Sequence, residues 1–128
     1  MSQIFSDDNS VELISSKGTI KTYKNLDLLI TPSLVTNQSN IVYGWRLFNS
    51  AGIIRFVKFY DTVSSPVVGV TIPKLTLPVS NDTNAPFSFP FGIPFNNGLW
   101  LAVTQNAPDT DTSAVPASNK IMVHIFYA

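Results

Sequence analysis

The side chains that could carry acid-base or metal chemistry are few in this chain. It contains one histidine, no cysteine and eight acidic residues. The histidine, His124, lies within the apolar run KIMVHIFY, and a His acting as a base needs a nucleophile or an orienting carboxylate beside it. One His without Cys also cannot supply the common zinc ligand sets. His124 is therefore predicted to be structural.

The carboxylates give no stronger indication of catalysis. A glycoside hydrolase needs two of them across a cleft, and Asp61 with Asp109 or Asp111 could supply such a pair, although their spacing does not favour it. The segment DTDT at 109–112 is similar to part of a calcium loop but lacks the later ligands and the closing Glu. We expect these aspartates to cap turns of a solvated loop, and we expect no enzyme activity, no metal and no cofactor. A hydrolase ranks third among the functions considered.

Composition limits the partners. The chain has 128 residues, which fits a single domain. Charged residues make up 12% of it, where about 25% is usual, and the net charge is zero. No basic run exists, so we expect no nucleic acid and no membrane surface as partner. The start MSQIFSDDNS has no signal-peptide pattern and no apolar run is long enough to span a membrane, which predicts a soluble protein made in the cytosol.

Proline content and alternating polarity predict an all-β fold. Nine prolines leave little room for helices, while period-two alternation recurs in IVYGWRLFN, IIRFVKFYD, GLWLAVTQ and KIMVHIFY. TIPKLTLPV contains two prolines within an alternating run and is predicted to be an edge strand. Weaker strands are predicted at 11–14, 19–23, 26–30 and 87–91. Eight or nine short strands indicate a single-domain antiparallel β-sandwich, jelly-roll-like, with a body at 41–128 and N-terminal strands, or an attachment segment, at 1–40.

Two turns are predicted from glycine and asparagine. Gly52 separates two alternating runs, which are expected to pair as a hairpin with Gly52 at an unusual backbone angle. In FNNGLW, Asn97 and Gly98 are expected to form a structural turn, with Gly98 at positive φ. The preceding FSFPFGIPF is expected to approach this turn in an extended form, with its aromatics covering one end of the sandwich.

Apolar side chains on the less hydrophobic strand faces predict association. They are Phe56, Tyr60, Trp100, Met122 and Phe126. A neutral monomer seldom exposes so much apolar surface, so these residues are predicted to form an interface with copies of the chain or with a partner. Trp100 could instead stack on a sugar ring, as in a lectin-like module.

An ordered series of segments resembles a group of small virion-associated structural proteins of tailed bacteriophages. The series is RFVKFYD, PVVGVTIPKLTLPV, FPFGIPFNNGLWLAVTQ and DTDTSAVPASNKIMVHIFYA, and it covers the chain from about residue 43 to 128. The first forty residues match no part of this pattern.

The resemblance implies a non-enzymatic, β-rich component of the virion, a capsid decoration or cement protein that stabilises the head shell. It also implies binding to the major capsid protein or another virion protein, and self-association as a trimer. The alternative is a lectin-like or host-adhesion module in a tail or head fibre.

Overall fold

The computed structural model describes residues 3–5, 11–15, 18–80 and 84–128, with side chains for 19–80 and 91–128. The described residues contain eleven β-strands and no helix. The strands are β1 (Gln3–Phe5), β2 (Val11–Ser15), β3 (Gly18–Thr19), β4 (Lys21–Asn25), β5 (Ser33–Thr36), β6 (Asn40–Asn49), β7 (Arg55–Tyr60), β8 (Leu75–Val79), β9 (Asn84–Phe95), β10 (Leu99–Thr104) and β11 (Ile121–Tyr127).

Eight of these strands form two four-stranded antiparallel sheets, which confirms the all-β sandwich. The first sheet has the order β5-β10-β7-β8 and the second the order β4-β11-β6-β9. Pairing is nested from the ends of the chain inward, because β4 pairs with β11, β5 with β10, β6 with β9, and β7 with β8. Strands β4 and β5 belong to these sheets, so the sandwich includes residues before position 41. Strands β1, β2 and β3 form a separate three-stranded sheet.

The core lies between the two four-stranded sheets. Its fully buried members come from both inner faces: Val42, Leu47, Val57, Phe59, Val79, Phe95, Leu99, Leu101, Val103, Ile121 and Ile125. The Phe59 ring lies 5.4 Å from that of Trp45 and 6.3 Å from that of Phe95, so one aromatic from the first sheet packs against two elements of the second. The alternation in β7, β10 and β11 thus predicted their core faces correctly.

Strand β6 departs from simple alternation. The sequence pattern places Ile41, Tyr43, Trp45 and Leu47 on one face, but Val42 is buried in the core together with Trp45 and Leu47. The pairing with β9 shifts register between Val42 and Gly44, and such an irregularity reverses the faces on one side of it. The prediction for the first part of β6 was therefore wrong.

The predicted hairpin between the runs on either side of Gly52 is also wrong. Strands β6 and β7 lie in different sheets, although Gly52 does have the expected positive φ, at 81°. The turn at Gly52 carries the chain from one sheet to the other, because each strand finds its partner in a more distant segment.

The segment between β4 and β5 differs from its prediction as well. Residues 26–30 form no strand. Instead the Leu28 N–H donates to the Ile121 carbonyl of the second sheet, and the Val103 N–H of the first sheet donates to the Leu29 carbonyl. The segment therefore crosses the edge of the sandwich, and the strand follows at Ser33–Thr36.

Candidate interaction surfaces

The loop after β10 folds back over the outer face of the first sheet. Lys58, Tyr60, Ala102 and Thr104 point away from the core, yet all four are fully buried. The Lys58 ammonium donates a 2.6 Å hydrogen bond to the Pro108 carbonyl of this loop. Tyr60, which the sequence placed at an interface with another molecule, is therefore covered by the chain itself.

Electrostatics beneath this loop follow from burial. Burial lowers the pKa of Lys58, and the carboxylates of Asp111 and Asp109 oppose that effect only in part. Burial also raises the pKa of Tyr60, with a further contribution from Asp109. The Tyr60 hydroxyl has no hydrogen-bond partner in the part of the chain that is described. A lysine and a tyrosine with shifted pKa values can indicate an active site, but here both side chains are fully buried, and Lys58 is bonded to the loop that covers them.

The aspartates that could have formed a catalytic pair have separate structural roles. Asp111 accepts hydrogen bonds from the Asn106 N–H at 3.1 Å and from the Ser113 hydroxyl at 2.6 Å, so it caps a turn within its own loop. Asp61 accepts backbone N–H groups of Asn96, Asn97 and Gly98 at 3.1, 2.8 and 3.3 Å. Within the described residues no group of three His, Asp or Glu side chains could hold a metal ion.

The turn at Asn97 and Gly98 joins β9 to β10, but its geometry differs from the prediction. Positive φ occurs at Gly52, Gly69 and Gly92, and not at Gly98. A side chain at Gly98 would instead collide with the carbonyl oxygens of Thr62 and Thr36. Glycine is required here because the backbones of two other segments approach closely.

The loop between β7 and β8 is uncharged, apolar and exposed. Residues 62–73 contain no charged side chain. Four aliphatic side chains of this loop, here called the apolar loop, are exposed by 59–77%: Val63, Val67, Val70 and Ile72. These residues were not predicted from the sequence, because the predicted interface residues were all apolar side chains on strand faces. The uncharged run TVSSPVVGVTIP could have indicated them.

The apolar loop has a defined conformation. The N–H groups of Val70 and Thr71 both donate to the Val67 carbonyl, at 3.0 and 2.8 Å, and the Val67 N–H donates to the Thr71 hydroxyl at 2.9 Å. Pro66 within the loop and Pro73 at its C-terminal end are both buried. Its exposed side chains are thus presented on an ordered backbone.

Trp100 lies at the base of the apolar loop. Its indole Nε1–H donates a 3.3 Å hydrogen bond to the Val63 carbonyl, and its side chain is partly buried. Phe56, on the same sheet, is also partly buried. Of the predicted interface residues on the first sheet, Tyr60 is thus inaccessible, and Trp100 and Phe56 offer only part of their surface.

The outer face of the second sheet carries an open groove of about 360 Å³. It is lined by Lys24, Leu26, Arg46, Leu47, Phe48, Met122, Val123 and His124, and is called the basic groove below. His124 is opposite Lys24 on one neighbouring strand and Arg46 on the other. A lysine, a histidine and an arginine therefore lie side by side across β4, β11 and β6.

Apolar side chains flank this row. Met122 is opposite Phe48, and the Phe126 ring lies 4.6 Å from the ring of His124. Met122 and Phe126, two further residues predicted at an interface, are both partly exposed here. The basic groove therefore combines cationic groups with an apolar floor, a combination that suits a segment carrying both carboxylates and aliphatic side chains.

No protein-family model, curated protein sequence or solved structure matches this chain. None of its described segments forms a helix able to cross a membrane.

Proposed function

We propose that this chain is a non-enzymatic structural protein of a tailed-bacteriophage virion, a decoration protein that binds the head shell through apolar contacts and stabilises it. It needs no cofactor and acts as a homo-oligomer. We propose a trimer because the C-terminal two thirds of the chain resemble virion-associated proteins. The observation that carries the proposal is the apolar loop.

Exposure of the apolar loop is the physical basis. Val70 and Ile72 are 77% and 74% exposed on a hydrogen-bonded backbone, in a chain with few charges to keep copies apart. Burying apolar surface stabilises an assembly by about 25 cal/mol per Å² before the costs of association are subtracted. A partner surface that covers this loop would gain that free energy without having to order the loop first.

Strand pairing supports a viral scaffold. The nested order of the four pairs is compatible with a jelly roll, the two-sheet fold that viral capsid proteins and lectin domains share. We propose this fold for the chain. Fold alone does not specify function, so the assembly role depends on the surface and on the sequence resemblance.

The lectin-like alternative has less support from the geometry. Trp100, the side chain proposed to stack on a sugar, is partly buried and its indole N–H is already bonded to Val63. A sugar platform needs an open aromatic face.

The test is binding of the purified protein to phage heads that lack it. Wild-type protein is expected to co-sediment with the heads and to protect them against thermal rupture. Val70→Asp with Ile72→Asp should abolish both effects, because two charges in a desolvated contact cost several kcal/mol. Ser118→Asp, at an exposed position of another loop, is the matched control.

Localisation in purified particles by electron microscopy distinguishes the two functions. Density on the head shell supports the decoration role, and density at the tail tip or in a fibre favours host adhesion. Equal head binding by wild type and the double variant would contradict a role for the apolar loop.

A further inference from the structure

The turn between β9 and β10 contains the one Asn-Gly step of the chain, Asn97–Gly98. In such a step the backbone nitrogen of the glycine can attack the side-chain carbonyl carbon of the asparagine. A five-membered succinimide ring forms and ammonia leaves, and water then opens the ring to aspartate or isoaspartate. Glycine favours this attack because it has no side chain to hinder the approach. The Asn97 amide is therefore chemically capable of spontaneous deamidation.

The two reacting groups of this step differ in their access to solvent. The Asn97 residue is exposed, so its side-chain amide can release ammonia and water can reach the ring. Gly98 is buried, and a Cβ on it would meet the carbonyl oxygens of Thr62 and Thr36. The amide under attack is thus open to solvent, whereas the attacking nitrogen belongs to an enclosed residue.

The Asp61 carboxylate holds the attacking nitrogen in its unreactive form. The N–H groups of Asn97 and Gly98 donate to the same oxygen, Asp61 Oδ1, at 2.8 and 3.3 Å. A backbone nitrogen attacks only after it loses its proton, and an aspartate is far too weak a base to remove that proton. A hydrogen bond to a charged acceptor instead stabilises the protonated nitrogen.

The same two hydrogen bonds fix the rotation about the Cα–C bond of Asn97. Because both N–H groups point to one oxygen, the Gly98 nitrogen lies on the side of the Asn97 nitrogen. Ring closure requires the Gly98 nitrogen to lie beside the Asn97 Cβ, which is a different substituent of the tetrahedral Cα. One of the two bonds to Asp61 must therefore break before the ring can form.

We propose that Asn97–Gly98 is a deamidation site that Asp61 keeps unreactive in the folded chain. Release of the turn from Asp61 lets the Gly98 nitrogen reach the Asn97 side chain. The product carries one more carboxylate within the turn that Asp61 holds, and two like charges repel each other. The reaction therefore weakens the contact that prevented it. This inference does not depend on the proposed function.

Peptide mapping by mass spectrometry tests the inference on the full-length protein, incubated in mildly alkaline buffer, by measuring loss of the Asn97 amide. Folded wild type is expected to react at least about tenfold more slowly than the same chain in denaturant, because the reactive geometry requires local opening. Folded Asp61→Ala should react at least about tenfold faster than folded wild type, because the turn loses a charged hydrogen-bond acceptor. Asp61→Asn, which keeps an acceptor oxygen but not the charge, should react at an intermediate rate.

The matched control for lost stability is Asn49→Ala. The buried Asn49 side chain donates to the carbonyls of Ile53 and Val79 at 2.9 and 2.8 Å, at the opposite end of β6 from this turn. This variant should be less stable than wild type but should deamidate at a similar rate. Circular dichroism verifies that each variant is folded, and Asp61→Asn provides the comparison if Asp61→Ala does not fold.

Three results would overturn the inference. The first is an equal rate in folded wild type and in the folded Asp61 variants. The second is an equal rate in folded and denatured wild type, which would mean that the fold gives no protection. The third is an equal acceleration in Asn49→Ala and the Asp61 variants, which would assign the effect to general loss of stability.

Discussion

The carboxylate of Asp61 accepts a 2.8 Å hydrogen bond from the backbone N–H of Asn97, 36 residues later in the chain. With the neighbouring N–H groups of Asn96 and Gly98, it fixes the turn that transfers the chain from β9 in the second sheet to β10 in the first. A residue that the sequence offered as a catalytic acid is thus an anchor between the two sheets.

Asp61→Ala is expected to lower the free energy of unfolding by about 1–3 kcal/mol, because three N–H groups lose a charged acceptor. Chemical denaturation measures this. Asp109→Ala, at an exposed position for which no hydrogen bond is seen among the described contacts, is the control and should change stability by less than about 0.5 kcal/mol. Equal effects of the two substitutions would contradict an anchoring role.

Asp61 also predicts a pH dependence. Burial alone would raise the pKa of Asp61, but the N–H groups of Asn97, Gly98 and Asn96 and the Lys74 cation outweigh it and hold the pKa below its ordinary value of 3.8. Its stabilisation is therefore present above pH 3.8 and is lost as the pH falls through the lower folded value. Asp61→Asn should flatten the decline in stability below pH 4, as measured by denaturation at a series of pH values.

Gly98→Ala should destabilise the protein by more than about 2 kcal/mol, since the added methyl group meets the carbonyl oxygens of Thr62 and Thr36. Gly52→Ala is the comparison. It has φ at +81° but nothing within 4 Å of the added Cβ, so only backbone strain of about 1 kcal/mol applies. A larger loss of stability in Gly52→Ala than in Gly98→Ala would contradict this. It would show that the backbone conformation of the glycine, and not the close approach of other backbone atoms, determines the cost of substitution in these turns.

Tyr60→Phe is expected to raise the free energy of unfolding by about 1 kcal/mol, because it removes a buried hydroxyl without a partner among the described residues. Tyr23→Phe is the control and should be slightly destabilising, since the Tyr23 hydroxyl accepts a 3.1 Å hydrogen bond from Asn25.

Burial, with a contribution from Asp109, raises the pKa of Tyr60 above 10.0, so the unfolded chain ionises first and stability falls above pH 10. That fall should be smaller in Tyr60→Phe.

Lys58→Met should loosen the loop after β10. Loss of the 2.6 Å bond to Pro108 is expected to speed amide hydrogen exchange in residues 106–113 at least about fivefold, equivalent to about 1 kcal/mol. Lys74→Met, which removes a lysine bonded to Pro94, should leave exchange in that loop unchanged. Unaltered exchange in Lys58→Met would mean that other contacts hold the loop.

The sequence by itself determined the class of the fold and most of the core. Alternation in β7, β10 and β11 identified Val57, Phe59, Leu101 and Ile125 as core residues, because a strand with one buried face must repeat with period two. Two prolines identified β8 as an edge strand, since proline cannot donate to a neighbouring strand. The uncharged composition also indicated that the outer surface is poor in charge.

Only the tertiary structure decided which strands pair and which outer faces remain accessible. The sequence predicted that β6 would pair with β7, yet β6 pairs with β9 and β11 and β7 pairs with β8 and β10, because local alternation does not encode which strands become neighbours. It likewise placed Tyr60 at an interface, whereas the loop carrying Pro108 covers it. A polar loop can cover the outer face of a strand when its backbone carbonyls accept hydrogen bonds from that face, as the Pro108 carbonyl does from Lys58. The hydrophobic pattern of the sequence does not predict such a contact.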